Sequence, residues 1–249
     1  ALVKSPPEKA ILPNGLRVIV VEDKSLPVAA VGLLFNTRVF YQNNRNSGLG
    51  RIYRSLIESA DFVGESRFDF NARLEKVGVI NEFGGGQDMF YAACNGNAHH
   101  LPLMFEGLYN LGFNLKPVDA DFNRAKDETI RHVASVKKFP RSGGFMERLL
   151  WKDLYSGSDA ECHGPVDESK LAKAQFGDLK AFTDSVFVPN NAVLVVVGDV
   201  SASNVFTAAM KQFGSLKASL VELPEKQKSD IPSLSRKTEV IDYLDINET

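Results

Sequence analysis

The residues best suited to metal or nucleophilic chemistry in this 249-residue chain are few: four histidines and two cysteines. Cys94 and Cys162 stand in no C-x-x-C or other ligand spacing. Both read as ordinary buried or half-buried thiols, and the sequence leaves a disulfide between them open. His99 and His100 look like a metal pair, but neighbouring helical residues point about 100° apart and converge poorly on one ion. Polar surface groups near a helix start are the better account. His163 lies in the stretch Glu161-Cys162-His163-Gly164-Pro165, which reads as a loop and offers it no ligand partner. The run Gly84-Gly85-Gly86 could cradle a phosphate, yet no G-x-x-x-x-G-K-[ST] pattern accompanies it. A bulge or bend where another backbone comes close explains the glycines better.

The bulk composition narrows the field. Lys and Arg total 29 against 31 Asp and Glu, a formal net charge of -2. No basic excess exists to attract nucleic acid, and no basic patch beside an apolar helix suggests a membrane surface. With 44% hydrophobic and 24% charged residues, the chain can bury a sizeable core. Its longest apolar stretch, 192–197, is too short to span a bilayer. No signal peptide is recognisable, and the sequence starts at Ala1 rather than Met, which leaves the compartment open.

The elements that would position a site follow from periodicity. After a loose start through residue 13, Asn14-Gly15 marks a turn, and 16–22 and 28–35 read as strands. Helical spacing predicts helices over 49–59 and 67–76, the second closed by Gly78. Strands are expected at 79–83 and 89–94, and helices at 99–113, 120–138, 143–154, 175–187 and 201–213. The run 192–198 reads as a strand buried on both faces. Residues 219–235, with Pro224, Lys226, Lys228, Ser229, Pro232 and Ser233, resemble a linker. Strand character returns at 238–243. The expectation is an α+β, two-layer domain over 1–218, a linker over 219–235, and over 236–249 the first strand of a second half that is missing. In that domain a largely antiparallel mixed sheet packs against helices.

Several of these landmarks, in register, resemble the pitrilysin / mitochondrial processing peptidase family of inverted-zincin metallopeptidases. Leu12-Pro13-Asn14-Gly15-Leu16-Arg17-Val18 is similar to the family's opening L-x-N-G strand. Phe187-Val188-Pro189-Asn190-Asn191, the following apolar strand and Gly198-Asp199 resemble its Y-x-P-x-N, strand and G-D. Asp178-Leu179 with Phe182 resembles its D-L-x-x-F helix, and Phe213-Gly214 its closing F-G. The resemblance spans nearly the whole domain. It implies a processing-peptidase-like metallohydrolase fold.

The family's catalytic motif is H-x-x-E-H on a helix. Two histidines four residues apart share a face and bind zinc, the Glu between them activates the metal-bound water, and a Glu on a later helix completes the site. Here Arg51 stands at the first His position, Arg54 at the Glu and Ser55 at the second His, while the third-ligand position falls on His132. Arg gives up no proton at a relevant pH, so it replaces neither ligand nor base, and two cations would repel zinc. The resemblance therefore implies a degenerate domain with no metal ligands, no catalytic residues and no cofactor. Arg51 and Arg54 could hold a peptide carboxylate in the old cleft. Pairing is the favoured reading, Arg54 with Glu58 and either with Glu128 or Asp127 across from the helix.

In this family a sheet edge beside the active site takes up substrate as an added strand. The matching stretch runs from Val77 to Gly84, so Asn81, Phe83 and Gly84 are the candidate peptide-binding residues. An ordinary edge strand has equal weight. The implied partners are a zinc-bearing homologous peptidase subunit or the chain's own second half, with a peptide substrate. The alternatives are a structural core-type subunit of a larger complex, and part of an active zinc endopeptidase whose motif lies elsewhere. The opening and the compact spacing resemble bacterial members, which points to the periplasm or cell envelope, with the mitochondrion as the alternative.

Overall fold

Alternating apolar residues build the sheet. In the computed structural model, residues 6–37, 47–85, 89–138, 143–155, 166 and 168–221 are described. Six strands pair in the order β1-β2-β6-β3-β5-β4. They are β1 (Glu8–Ile11), β2 (Arg17–Glu22), β3 (Val28–Asn36), β4 (Ile80–Gly85), β5 (Met89–Asn97) and β6 (Ala192–Gly198). Only β2 and β6 run parallel; every other neighbouring pair is antiparallel. The register sets Phe35 against Phe90 and Ala192, and Leu33 against Ala92 and Leu194. Because the strand period is two, these residues share one face, and all are buried.

The described helices are α1 (Leu49–Ile57), α2 (Arg67–Lys76), α3 (Leu101–Phe113), α4 (Asp119–Lys138), α5 (Gly143–Tyr155), α6 (Glu168–Lys173), α7 (Phe176–Val186) and α8 (Ala202–Phe213). Those in contact with the sheet cover the face just described. Helix α3 lies close against it, since a Cβ on Gly107 would come 2.9 Å from Cys94 Sγ and one on Gly112 would come 2.8 Å from Leu33 Cδ2. Helix α1 joins through Tyr53, whose ring lies 5.5 Å from Phe90, 5.7 Å from Phe182 on α7 and 4.6 Å from Phe187. Such edge-on and tilted aromatic contacts add to the area they bury. The α+β, two-layer expectation is borne out.

Three expectations need correction. The start is not loose throughout, for Glu8–Ile11 forms edge strand β1, paired to β2 from Glu8↔Val20 to Ile11↔Arg17. Its sequence, EKAI, carries too few apolar residues to signal a strand; the pairing comes from its neighbour. Strand β6 is not buried on both faces. Ala192, Leu194 and Val196 are buried, but Val193 and Val195 are half-buried and Val197 is 38% exposed. The predicted helix from 99 begins as a 3-10 turn, Ala98–His100, before α3. The linker beyond residue 221, the final strand over 236–249, Gly86, Cys162 and His163 lie outside the described residues.

Candidate functional site

The positions expected to carry the motif sit on α1, an amphipathic helix whose Leu49, Ile52, Tyr53, Leu56 and Ile57 are buried. That leaves residues 51, 54 and 55 away from the core. Arg51 and Arg54 are exposed and Ser55 is half-buried. Helix α4 packs alongside α1. Ser55 Oγ donates a hydrogen bond to Glu128 Oε2 at 3.0 Å, and one turn along, Arg124 Nη2 donates to Ser59 Oγ at 3.1 Å. Residue numbers rise along α1 as they fall along α4, so the helices are antiparallel. The next turn in the other direction places His132 level with Arg51.

The α1–α4 register thus sets Ser55 against Glu128, with Arg51 one turn from Ser55 on α1, His132 one turn from Glu128 on α4, and Arg54 exposed on α1. The acid facing Ser55 is Glu128, which the sequence offered only as a partner for an arginine. Its signal was its place one turn before His132. The expected pairing of Arg54 with Glu58 is not formed; among the described residues neither Arg51 nor Arg54 has an ion pair. Glu58, Asp127, Glu128, Arg131 and His132 are exposed. Among the described residues no three His, Cys, Asp or Glu side chains gather as a metal set.

Beside this cleft the loop into α2 is pinned by a buried arginine. Arg67 Nε donates to Ala60 O at 2.9 Å, its backbone N–H donates to Asp61 Oδ1 at 2.9 Å, and its guanidinium lies 4.5 Å from the Phe62 ring centroid. Burial pulls its pKa down to about 10, against the opposing charge of Asp61. Burial likewise pushes the Tyr53 phenol up. Both are structural groups turned into the core.

Strand β4 is a sheet edge, hydrogen-bonded only to β5 among the described strands. Asn81 and Phe83 share parity with the helix-covered face. Asn81 Nδ2 donates to Asn71 Oδ1 on α2 at 3.4 Å, and Phe83 packs against the core. Ile80, Glu82 and Gly84 take the opposite face, where a Cβ on Gly84 would come 2.7 Å from the Tyr91 ring. The close approach expected at the glycines is real, although at Gly84 a side chain makes it. The three candidate peptide-binding residues therefore sit together at the edge, and it is their backbone that the edge offers. His99, exposed, and His100, half-buried, lie in the turn before α3, and Cys94 is a buried free thiol.

The residues that carry the sequence resemblance hold the chain together. Asn14 Nδ2 donates to Phe213 O at 2.7 Å, and Gly15 takes φ 85°. Asn191 Nδ2 donates to Asn36 O at 2.9 Å and Val186 O at 2.8 Å, closing α7 onto β3. Gly198 has φ 141°, and a Cβ there would collide with Val28 O and stand 2.7 Å from Ala29 Cα.

Comparison with known proteins agrees. The family model for the peptidase M16 inactive domain matches residues 173–248, which run from the end of α6. The crystal structure of a protease from Helicobacter pylori superposes with a TM-score of 0.72 at 20% identity, over 92% of this chain and 53% of that one. A peptidase M16 inactive domain from Pseudomonas fluorescens gives 0.74 at 19% identity, over 88% of this chain and 53% of that one. The fold is that of an M16 peptidase domain. The family resemblance read from the motifs is borne out. The chain spans about half the length of those two proteins, and no curated protein matches it. The family-model match begins downstream of α1, so it does not touch Arg51, Arg54 or Ser55.

Proposed function

We propose that this M16 domain is non-catalytic, and that it serves as the substrate-binding or regulatory partner of a zinc-bearing homologous subunit or of its own second half. One observation carries the reading: the helix position that would need two imidazoles and a carboxylate holds Arg51, Arg54 and Ser55. These residues do not fit zinc. Guanidinium groups offer no lone pair to a metal, and the Ser55 hydroxyl is spent on Glu128. Glu128 and His132 together are too few for a structural or catalytic site.

A partner is favoured by the side of the sheet that no described helix covers. Ile19, Val21, Leu34, Val193 and Val195 are half-buried there and Val197 is exposed. An apolar sheet face of this kind suits contact with another folded unit. Peptide binding is favoured by the β4 edge, which the Tyr53–Phe90 contact ties to α1, since Phe90 lies opposite Gly85 in the ladder. Backbone pairing tolerates changed side chains, so strand addition outlasts loss of hydrolysis. Titrating the 15N-labelled domain with a neutral, extended peptide tests this reading. The amides of residues 80–85 should shift together and gain protection from exchange. Saturating peptide with those amides unmoved would contradict the substrate-binding role.

A further inference from the structure

The cleft between α1 and α4 is not only a lost metal site; its present residues have a chemistry of their own. Arg51 and Arg54 are one turn apart or less on the exposed side of α1, and Arg131 and His132 are adjacent on α4. Two hydrogen bonds fix how the two helices are set against each other. Ser55 meets Glu128 and Ser59 meets Arg124, so a further turn, about 5.4 Å along each axis, brings Arg51 level with His132. Glu128 keeps its charge but is turned to Ser55, and among the described residues it forms no ion pair with Arg51 or Arg54. Arg124, farther along the cleft, is satisfied, bonding Asp121 at 2.9 Å as well as Ser59. Glu58 lies one turn beyond Arg54 and pairs with no basic residue among the described residues. Arg51 and Arg54 thus keep their N–H groups free of ion pairs among the described residues.

We infer that this end of the cleft is a carboxylate-binding site, with Arg51 and Arg54 as its principal donors and His132 flanking them. A guanidinium presents a planar fork of N–H groups that matches a carboxylate in two parallel hydrogen bonds, which a point charge such as Lys does not. Both arginines reach solvent, so a ligand need displace no protein partner. The ligand class is a peptide bearing a free carboxylate, at its C-terminus or on an Asp or Glu side chain. The inference rests on the proposed function only in taking a peptide as the source of that carboxylate.

The test uses small probes that cannot add as a strand, so its failure is separate from that of the β4 reading. The 15N-labelled domain is titrated with an acetylated alanine tripeptide as the free acid, the same tripeptide amidated, and an amidated tripeptide with a central Glu. The side-chain Nε resonances of Arg51 and Arg54 are followed. The free acid should shift both saturably while the neutral amide does not. The Arg51→Gln, Arg54→Gln double variant should bind at least tenfold more weakly. Both changes are on exposed helix positions, so circular dichroism and the β4 amides should be unchanged. If the Glu-bearing amide matches the acid, the source is any carboxylate; if it matches the neutral amide, the source is the chain terminus. Equal shifts with acid and neutral amide, or undiminished binding by the double variant, would overturn the inference whether or not β4 binds peptide.

Discussion

At the scale of single residues, chemistry-bearing side chains divide into those turned into the core and those left at the α1–α4 cleft. Cys94 is of the first kind. It lies on the helix-covered face of β5 beneath Gly107, and burial pushes its thiol up to about 12. The thiolate is the reactive form, so raising the pKa removes the nucleophile at neutral pH. We expect Cys94 to resist a thiol reagent at pH 8 in the native domain, read in a variant whose Cys162 is replaced by Ser, and to react fully once urea unfolds it. Prompt labelling of the native form would contradict the burial assigned to β5. Arg51, Arg54 and Ser55 are of the second kind. Their identities were legible from sequence because a missing ligand is a matter of residue type. Their partners were not: Glu128 bonds Ser55 rather than an arginine, a choice set by the rotation of α4 against α1.

Among the elements, long periodic segments were readable and boundary devices were less so. Helix α2 falls where the pattern placed it, over Arg67–Lys76, with Ser66 accepting from the Asp69 N–H and Gly78 in the left-handed region at φ 69°. Strand β1 escaped notice because its pairing is supplied by β2, and β6 was misjudged because a Val-rich run does not say which face stays open. The Gly198-Asp199 pair that helped to reveal the family has a geometric cause. Gly198 ends β6 at φ 141° with the Val28 carbonyl where a Cβ would be. Gly198→Ala should therefore cost about 3 kcal/mol through strain and displacement of β3. A urea titration checks it, with the midpoint falling at unchanged slope. A midpoint within error of the parent would mean that β3 yields freely there.

For the whole molecule, the fold is that of an M16 peptidase domain, and the proposal is that its chemistry has been replaced. Among the described residues the six-stranded sheet is closed by Asn14, Asn191 and Gly198, without Arg51, Arg54 or Ser55. The core stays packed when those positions change, because they lie on the solvent side of α1. Among the described residues no helix is long and apolar enough to cross a membrane. The half-open apolar sheet face is what the proposed partner role requires. The measurement that bears most directly on this account is the metal content of the purified domain by plasma emission, together with cleavage of a quenched peptide library with and without added zinc. The account predicts zinc far below stoichiometric and no cleavage under either condition. Stoichiometric zinc with chelator-sensitive cleavage would contradict it, and would mean that Arg51, Arg54, Ser55 and His132 are not the residues at the metal positions.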